Sequence, residues 1–262
     1  MKKLVSVLLC IAMLLSLACV VSAETEETTA PEIVWDENNE TILLEYGATY
    51  GEGEKSFQLV VDHLNQVVVC TVNTDEETVG AALAALNIVA GEDSDYGLMV
   101  NTIDGYTADY NVDGTYWAFY INGDYAMTGV DSTPIEDDTV YTFKVDGAEV
   151  EEGATISLVD GKHYGIGDTA FTLEVVDGEG NTTTVTVHTN EETLGAALAA
   201  LNIVYGEDSD FGLYIKAVNN ITADFNVDGK YWAVYIDGEY AMTGVDATEI
   251  QEGSTYSLKV EG

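Results

Sequence analysis

The sequence predicts an α+β fold present twice in tandem, each copy a mixed or antiparallel sheet packed on one helix. Three observations carry this. Residues 73–147 and 188–262 align without a gap at an offset of 115, and 47 of the 75 positions are identical. Within a copy the apolar residues mostly alternate at period two, the mark of half-buried strands. Only one stretch per copy has helical spacing.

The elements follow in order. Phe57-x-Leu59-x-Val61 and Val68-x-Cys70-x-Val72 alternate as a strand pair. Thr74-x-x-Glu77 and Thr189-x-x-Glu192 read as capping boxes, in which threonine and glutamate satisfy the first amides of a helix. Val79, Ala82, Leu83 and Leu86 then share one helical face, assigned to the core, while Gly80 and the alanines permit close approach to a sheet. Strands are predicted at 98–103, 116–121, 125–128 and 140–145. Asn122-Gly123 and Asp237-Gly238 are two-residue hairpin turns, because both central positions need positive φ. The order β-β-α-β-β-β with one helix against a sheet is of β-grasp type.

Outside the repeats the chain divides further. Met1-Lys2-Lys3, a nearly unbroken apolar run to Val21 and the small residues Ser22-Ala23 make residues 1–23 a secretory signal peptide. Ser16-Leu17-Ala18-Cys19 keeps open a lipoprotein anchored through Cys19. Residues 24–47 begin acidic and poor in apolar side chains and read as a tether. The domains are placed at 48–147 and 163–262, with a linker at 148–162.

Charge and subtraction exclude whole classes of function. The formal net charge is −39, with 47 acids and no arginine. Such a field repels phosphate backbones and disfavours anionic lipid; it keeps a protein soluble and monomeric and attracts cations. Chemistry the repeat was built for should appear in both copies. His63 faces Gly178, His163 faces Thr49, His188 faces Asn73 and Cys70 faces Val185, so no histidine or cysteine is shared. The side chains best suited to general base or nucleophile work are therefore missing from the common set. Shared acids such as Glu92, Asp93 and Asp95 could serve a glycosidase pair but read as solvated surface. The expectation is a non-enzymatic protein. With Cys10 and Cys19 in the signal region, Cys70 is alone and reads as a small buried hydrophobe.

Two constellations are shared. Tyr116, Tyr120 and Tyr125, repeated as Tyr231, Tyr235 and Tyr240, surround Trp117 and Trp232. On a strand Tyr116-Ala118-Tyr120 point one way and Trp117-Phe119-Ile121 the other. With the tryptophan row in the core, the tyrosine row is either a ligand platform that stacks and hydrogen-bonds or an ordinary sheet face. Met127 and Met242 follow and could adapt to a ligand. The second constellation is D-x-N-x-D-G: Asp109, Asn111 and Asp113, repeated as Asp224, Asn226 and Asp228. Alternate oxygens before a glycine open a calcium loop. The twelfth position is Tyr120 or Tyr235 instead of glutamate, so this is no EF-hand; a looser calcium site and a simple turn both remain.

Thr-x-x-x-Ala-Leu in the helix, Tyr-Trp-Ala-x-Tyr-Ile-[Asn/Asp]-Gly and Gly-Val-Asp before the last strand closely resemble a bacterial domain of unknown function. That family is allied to the C-terminal β-domain of transcobalamin and intrinsic factor. The resemblance spans both repeats. It implies a β-grasp-like ligand-binding fold on secreted and surface proteins, with cobalamin or another corrinoid as ligand and no catalytic residues. The animal carriers close the ligand against a large helical domain, which this chain does not show. The alternative partner is a cell-surface glycan or protein, with the repeats as multivalent spacers.

Overall fold

A computed structural model describes residues 41–94, 97–147, 153–209 and 212–262. The signal peptide with Cys19, most of the tether, Asp95, Asp210 and part of the linker lie outside the described residues. Copy 1 contains β1 (Thr49–Tyr50), β2 (Lys55–His63), β3 (Gln66–Thr74), α1 (Val79–Ala85), β4 (Val89–Ser94), β5 (Gly97–Ile103), β6 (Tyr106–Thr107), β7 (Tyr116–Ile121), β8 (Asp124–Tyr125) and β9 (Val140–Asp146). Copy 2 contains β10 (His163–Tyr164), β11 (Thr169–Val176), β12 (Thr182–Thr189), α2 (Leu194–Ala200), β13 (Val204–Ser209), β14 (Gly212–Val218), β15 (Ile221–Thr222), α3 (Phe225–Asp228), β16 (Tyr231–Ile236), β17 (Glu239–Tyr240) and β18 (Thr255–Glu261).

Each copy is α+β as predicted. β2 and β3 form an antiparallel hairpin, β9 runs parallel to β2, and β7 is antiparallel to β9. The predicted inward row of this mixed sheet is buried: Phe57, Leu59, Val61, Val68, Cys70 and Val72 pack with Val79, Ala82 and Leu83 of α1. Burial pushes the Cys70 thiol up to about 12, so it stays protonated and inert. The turns at Asn122-Gly123 (φ 50° and 86°) and Asp237-Gly238 (φ 48° and 86°) have the positive φ values that require such residues.

Four expectations need correction. The 98–103 strand does not join the main sheet; it lies in a second sheet, β4-β5-β6, repeated as β13-β14-β15. The capping boxes are displaced. Thr78 and Thr193 are the N-caps, accepting from the amides of Ala81 and Ala196 at 3.3 and 3.4 Å, whereas Thr74 and Thr189 accept from Glu76 and Glu191 in the preceding turns. Thr78 and Thr193 are themselves extended and bridge to Pro134 and Glu249, so the helices start after them.

The domain boundaries also move upstream. Leu44 is 2% exposed, its amide donates to Asp104 Oδ1 at 2.6 Å, and the Ile42 amide donates to the Asn87 carbonyl at 2.9 Å. Copy 2 repeats this with the amides of Leu158 and Ile156 donating to Asn219 Oδ1 and the Asn202 carbonyl. Residues 41–47 and 155–162 therefore belong to the folded domains. Finally, the copies are not separate sheets. β10 pairs parallel with β12 and antiparallel with β3, giving one sheet in the order β17-β16-β18-β11-β12-β10-β3-β2-β9-β7-β8.

Gly80 marks the tightest packing of the helix. A Cβ there would lie 2.8 Å from Asp131 Oδ1 and 3.0 Å from the Asp131 amide nitrogen; at Gly195 the Asp246 carboxylate would lie 2.2 Å away. Gly80→Ala and Gly195→Ala are expected to destabilise the protein by about 1–3 kcal/mol each, the usual cost of overpacking, despite the better helix propensity of alanine. Urea unfolding checks this; unchanged midpoints would remove the packing role of both glycines.

Candidate functional site

The shared constellations converge on the outer strand of each half-sheet. β7 is an edge strand: β8 pairs only with Tyr120 and Ile121, leaving 116–119 without a strand partner on that side. β16 is left open in the same way by β17. Across each open edge lies the second sheet, and between them is a cleft. In copy 1 it holds about 290 Å3 and is lined principally by Leu98, Val100, Trp117, Phe119, Tyr125 and Val130. In copy 2 it holds about 350 Å3, with Leu213, Ile215, Trp232, Val234, Tyr240 and Val245 in the equivalent places.

The Gly-Val-Asp string explains the far wall. Gly129 and Val130 line the cleft, and Val130–Ser132 is a single 3-10 turn. Asp131 Oδ2 accepts from the Leu98 amide at 2.5 Å, pinning the start of β5 to that turn; Asp246 holds the Leu213 amide at 2.6 Å. Thr133 Oγ1 donates to the Gly129 carbonyl and closes the turn. Leu98, Val100 and Val130 were not among the predicted ligand residues. The one sequence signal that could have found Val130 is the exact repetition of the string from Tyr125 to Asp131 in copy 2.

The tyrosine residues are only partly the predicted platform. Tyr116 is 41% exposed and Tyr125 57%, and both line the copy 1 cleft. Ala118, between Tyr116 and Tyr120 on β7, is buried, and Tyr120 meets Tyr125 edge-on at 5.4 Å and 81°. Tyr235 and Tyr240 repeat this at 5.4 Å and 82°. A row of edge-on rings is ridged, so a flat ligand would meet Tyr125 or Tyr240 alone. Tyr120 OH donates to Asp146 Oδ2 at 3.4 Å, and Tyr235 and Tyr231 both donate to Glu261. That carboxylate pushes the Tyr235 phenol up to about 12. Lys259 Nζ lies 4.4 Å from the Tyr235 ring centroid. Met127 and Met242 are each 93% exposed, and Met242 lines its cleft.

The tryptophans form the cleft floor, 8% and 7% exposed. Trp117 Nε1 donates to the Asn101 carbonyl at 3.1 Å, whereas the buried Trp232 Nε1 has no hydrogen-bond partner among the described residues. Among the described lining residues of either cleft there is no Asp, Glu, His, Cys or Lys. These surfaces can exclude water, stack and present hydroxyls.

The D-x-N-x-D-G segments form turns beside the clefts. Asp109 Oδ1 accepts from the Asn111 amide, and Asp113 Oδ1 accepts from both the amide and hydroxyl of Thr115. The Thr115 hydroxyl, then its amide, hold the Asp113 carboxyl below its ordinary range. In copy 2 Asp224 caps the one-turn α3 through the Asn226 amide and meets Lys216 Nζ at 3.3 Å, while Asp228 accepts from the Lys230 amide. Asp109 and Asn111 line a hollow of about 200 Å3, but Asp113 is not part of its lining. Among the described residues no three His, Cys, Asp or Glu side chains gather as metal ligands. With one oxygen of each aspartate turned to the chain and no gathered ligand set among the described residues, equal millimolar calcium and magnesium are expected to raise the melting temperature equally, through screening alone. A larger calcium shift that disappears in Asp113→Ala/Asp228→Ala would instead make the loops cation sites.

Comparison with known proteins adds the following. A 1.30 Å crystal structure from Ruminococcus gnavus, described as a candidate metal-binding protein, is similar at 28% identity and TM-score 0.35, covering 36% of this chain and 97% of that one. Haptocorrin in complex with Cbi is similar at 21% identity and TM-score 0.28, covering 37% of this chain and 26% of haptocorrin. No curated protein matches. No described helix is long and apolar enough to cross a membrane. The family model for the domain of unknown function DUF4430 matches residues 76–147 and 191–261. These ranges include both helices, both clefts and both Gly-Val-Asp turns. The chain belongs to the DUF4430 family, which it carries in two tandem copies.

Proposed function

We propose that the protein is a non-enzymatic binding protein with two equivalent small-ligand sites, one in each cleft, and that corrinoids are the ligand class to test first. The observation that carries the reading is the duplicated cleft, in which Trp117, Tyr125 and Val130 recur as Trp232, Tyr240 and Val245. A secreted protein, free or anchored through Cys19, fits the N-terminal sequence. A cleft lining without Asp, Glu, His, Cys or Lys among the described residues leaves its hydroxyls no adjacent base, which favours binding over catalysis. The corrinoid class comes from the sequence resemblance to the transcobalamin β-domain.

Cleft size sets the expected affinity. Volumes of about 290 and 350 Å3 fall at the lower end of the ~300–1,000 Å3 typical of small-molecule sites. A corrinoid would be covered on one face only, so micromolar dissociation constants, about −8 kcal/mol, are expected. The clefts act separately. Eight strand spacings of about 4.8 Å lie between β16 and β7, placing them roughly 38 Å apart along the sheet, too far to clamp one small ligand. Calorimetry with cobalamin and cobinamide should give two sites per chain, and Tyr125→Ala/Tyr240→Ala should weaken both about tenfold. No heat at high micromolar ligand would sink the corrinoid reading.

The same spacing supports a second reading, in which the repeats present two copies of one surface to a cell-surface glycan or protein and gain avidity from the pair. Retention on a glycan array that requires both copies, together with indifference to corrinoids, would select it.

A further inference from the structure

Copy 2 is joined to copy 1 by very little backbone. Among the described residues only Tyr164 and Gln66 pair as strands across the junction, supported by the Gly165 amide donating to the Asn65 carbonyl at 2.9 Å and Asn65 Nδ2 donating to the Leu201 carbonyl at 3.2 Å. Beside this pairing is a stack of rings. Tyr46 of copy 1 lies on His163 at 4.0 Å and 7°, and on His188 at 4.9 Å and 14°. Nδ1 of His163 and Nε2 of His188 are 2.9 Å apart, so the two imidazoles share one hydrogen.

We propose that this junction is a proton-sensitive latch, in which the neutral His163–His188 pair holds the two repeats in one continuous sheet and double protonation releases them. A hydrogen bond between two imidazoles needs one nitrogen without a proton. Two imidazolium rings at this separation, half-buried under Tyr46, would repel each other and lose water at the same time. The residues involved differ between the copies: copy 1 has Thr49 and Asn73 where copy 2 has His163 and His188, and copy 2 has Asp160 where copy 1 has Tyr46.

The charged neighbours come from several elements. Glu45 and Tyr46 face the pair from copy 1; Asp160 and Lys162 precede His163, and a hollow of about 240 Å3 joins these groups. Glu252, in the turn before β18, acts on His188. Burial is the largest influence on both rings and holds each below the ordinary histidine value; His188 and then Lys162 add to this at His163, while Glu252 opposes it at His188. For a base whose value is depressed in the docked state, docking is fully favoured above the free value and is lost as pH falls below about 6.5. His63, the third histidine, bonds the Gln66 side chain on the copy 1 side of the junction at 2.9 Å and lies 3.5 Å from Asp104 Oδ2.

Released repeats would still carry a cleft each but no longer at a fixed spacing, so the latch would govern bivalent engagement without altering either site. The test is hydrogen exchange on the full chain from pH 7.5 to 5.0, corrected for intrinsic rates. Protection of the Gly165 amide is expected to fall at least about tenfold while the β2–β3 core amides stay protected. Small-angle scattering should show a larger radius of gyration over the same range. His163→Thr/His188→Asn places the copy 1 residues in copy 2 and should abolish the pH dependence. Tyr46→Ala should lower Gly165 protection already at pH 7.5. A wild-type junction unchanged to pH 5.0, or a double variant with the wild-type profile, would overturn the proposal.

Discussion

The carboxylate of Asp131, repeated as Asp246, is the contact on which the helix, the second sheet and the cleft all depend. One oxygen takes the Leu98 amide, the second of β5. The other lies buried against Gly80 at the start of α1 without a hydrogen-bond partner among the described residues. An unpartnered buried oxygen is costly unless a positive potential offsets it, and the first turn of a helix supplies one. Glycine is required because any side chain would displace the carboxylate. The contact therefore connects three sequence features that lie far apart: the glycine inside a helix, the Gly-Leu that opens β5, and Gly-Val-Asp before the last strand.

That linkage shows why some of the architecture was legible in the sequence and some was not. The β2–β3 hairpin, the single helix and the Asn-Gly turn follow from local rules, namely period-two alternation, a helical apolar face and residues tolerant of positive φ. The parallel pairing of β9 with β2 and the removal of β5 to a second sheet depend on contacts between residues far apart in sequence. No local periodicity encodes them. The capping box failed for a related reason: Thr74 and Glu77 have the right spacing, but a tertiary bridge from Thr78 to Pro134 determines where the helix begins. Tether and linker were drawn too long because the boundaries followed the repeat, and Thr41 and Thr155 lie outside it. In the structure their hydroxyls accept the amides of Gly105 and Asn220.

The candidate site was read from its aromatic side and missed from its aliphatic side. Tyr116, Tyr125, Trp117 and Met242 stand at the cleft, but the opposite wall comes from Leu98, Val100 and Val130, which the sequence presents as ordinary core residues. A cleft between two sheets borrows half its surface from positions that would be core if the edge were covered. The edge stays open because the second strand of each hairpin is only two residues long.

Subtraction of one copy from the other separates function from assembly. Residues kept in both copies make the fold and the cleft. Where the copies meet, they differ sharply: Tyr46 against Asp160, Thr49 against His163, Asn73 against His188. Identical domains joined head to tail have one contact that cannot be symmetric, because each offers a different surface to the other. The histidines were set aside as unlikely to carry the shared chemistry of the domain, which fits their position at this single asymmetric junction. Their conformation uses both as imidazoles: one ring donates to the other while a tyrosine from the first copy stacks on both. The strong acidity of the chain works in the same direction. With 47 acids against 8 lysines, the two copies repel at long range, so their docking needs short-range contacts able to outweigh that repulsion. A junction of one strand pair, two further hydrogen bonds and three stacked rings is a narrow margin against such a field, which is the condition under which two protons can decide the outcome.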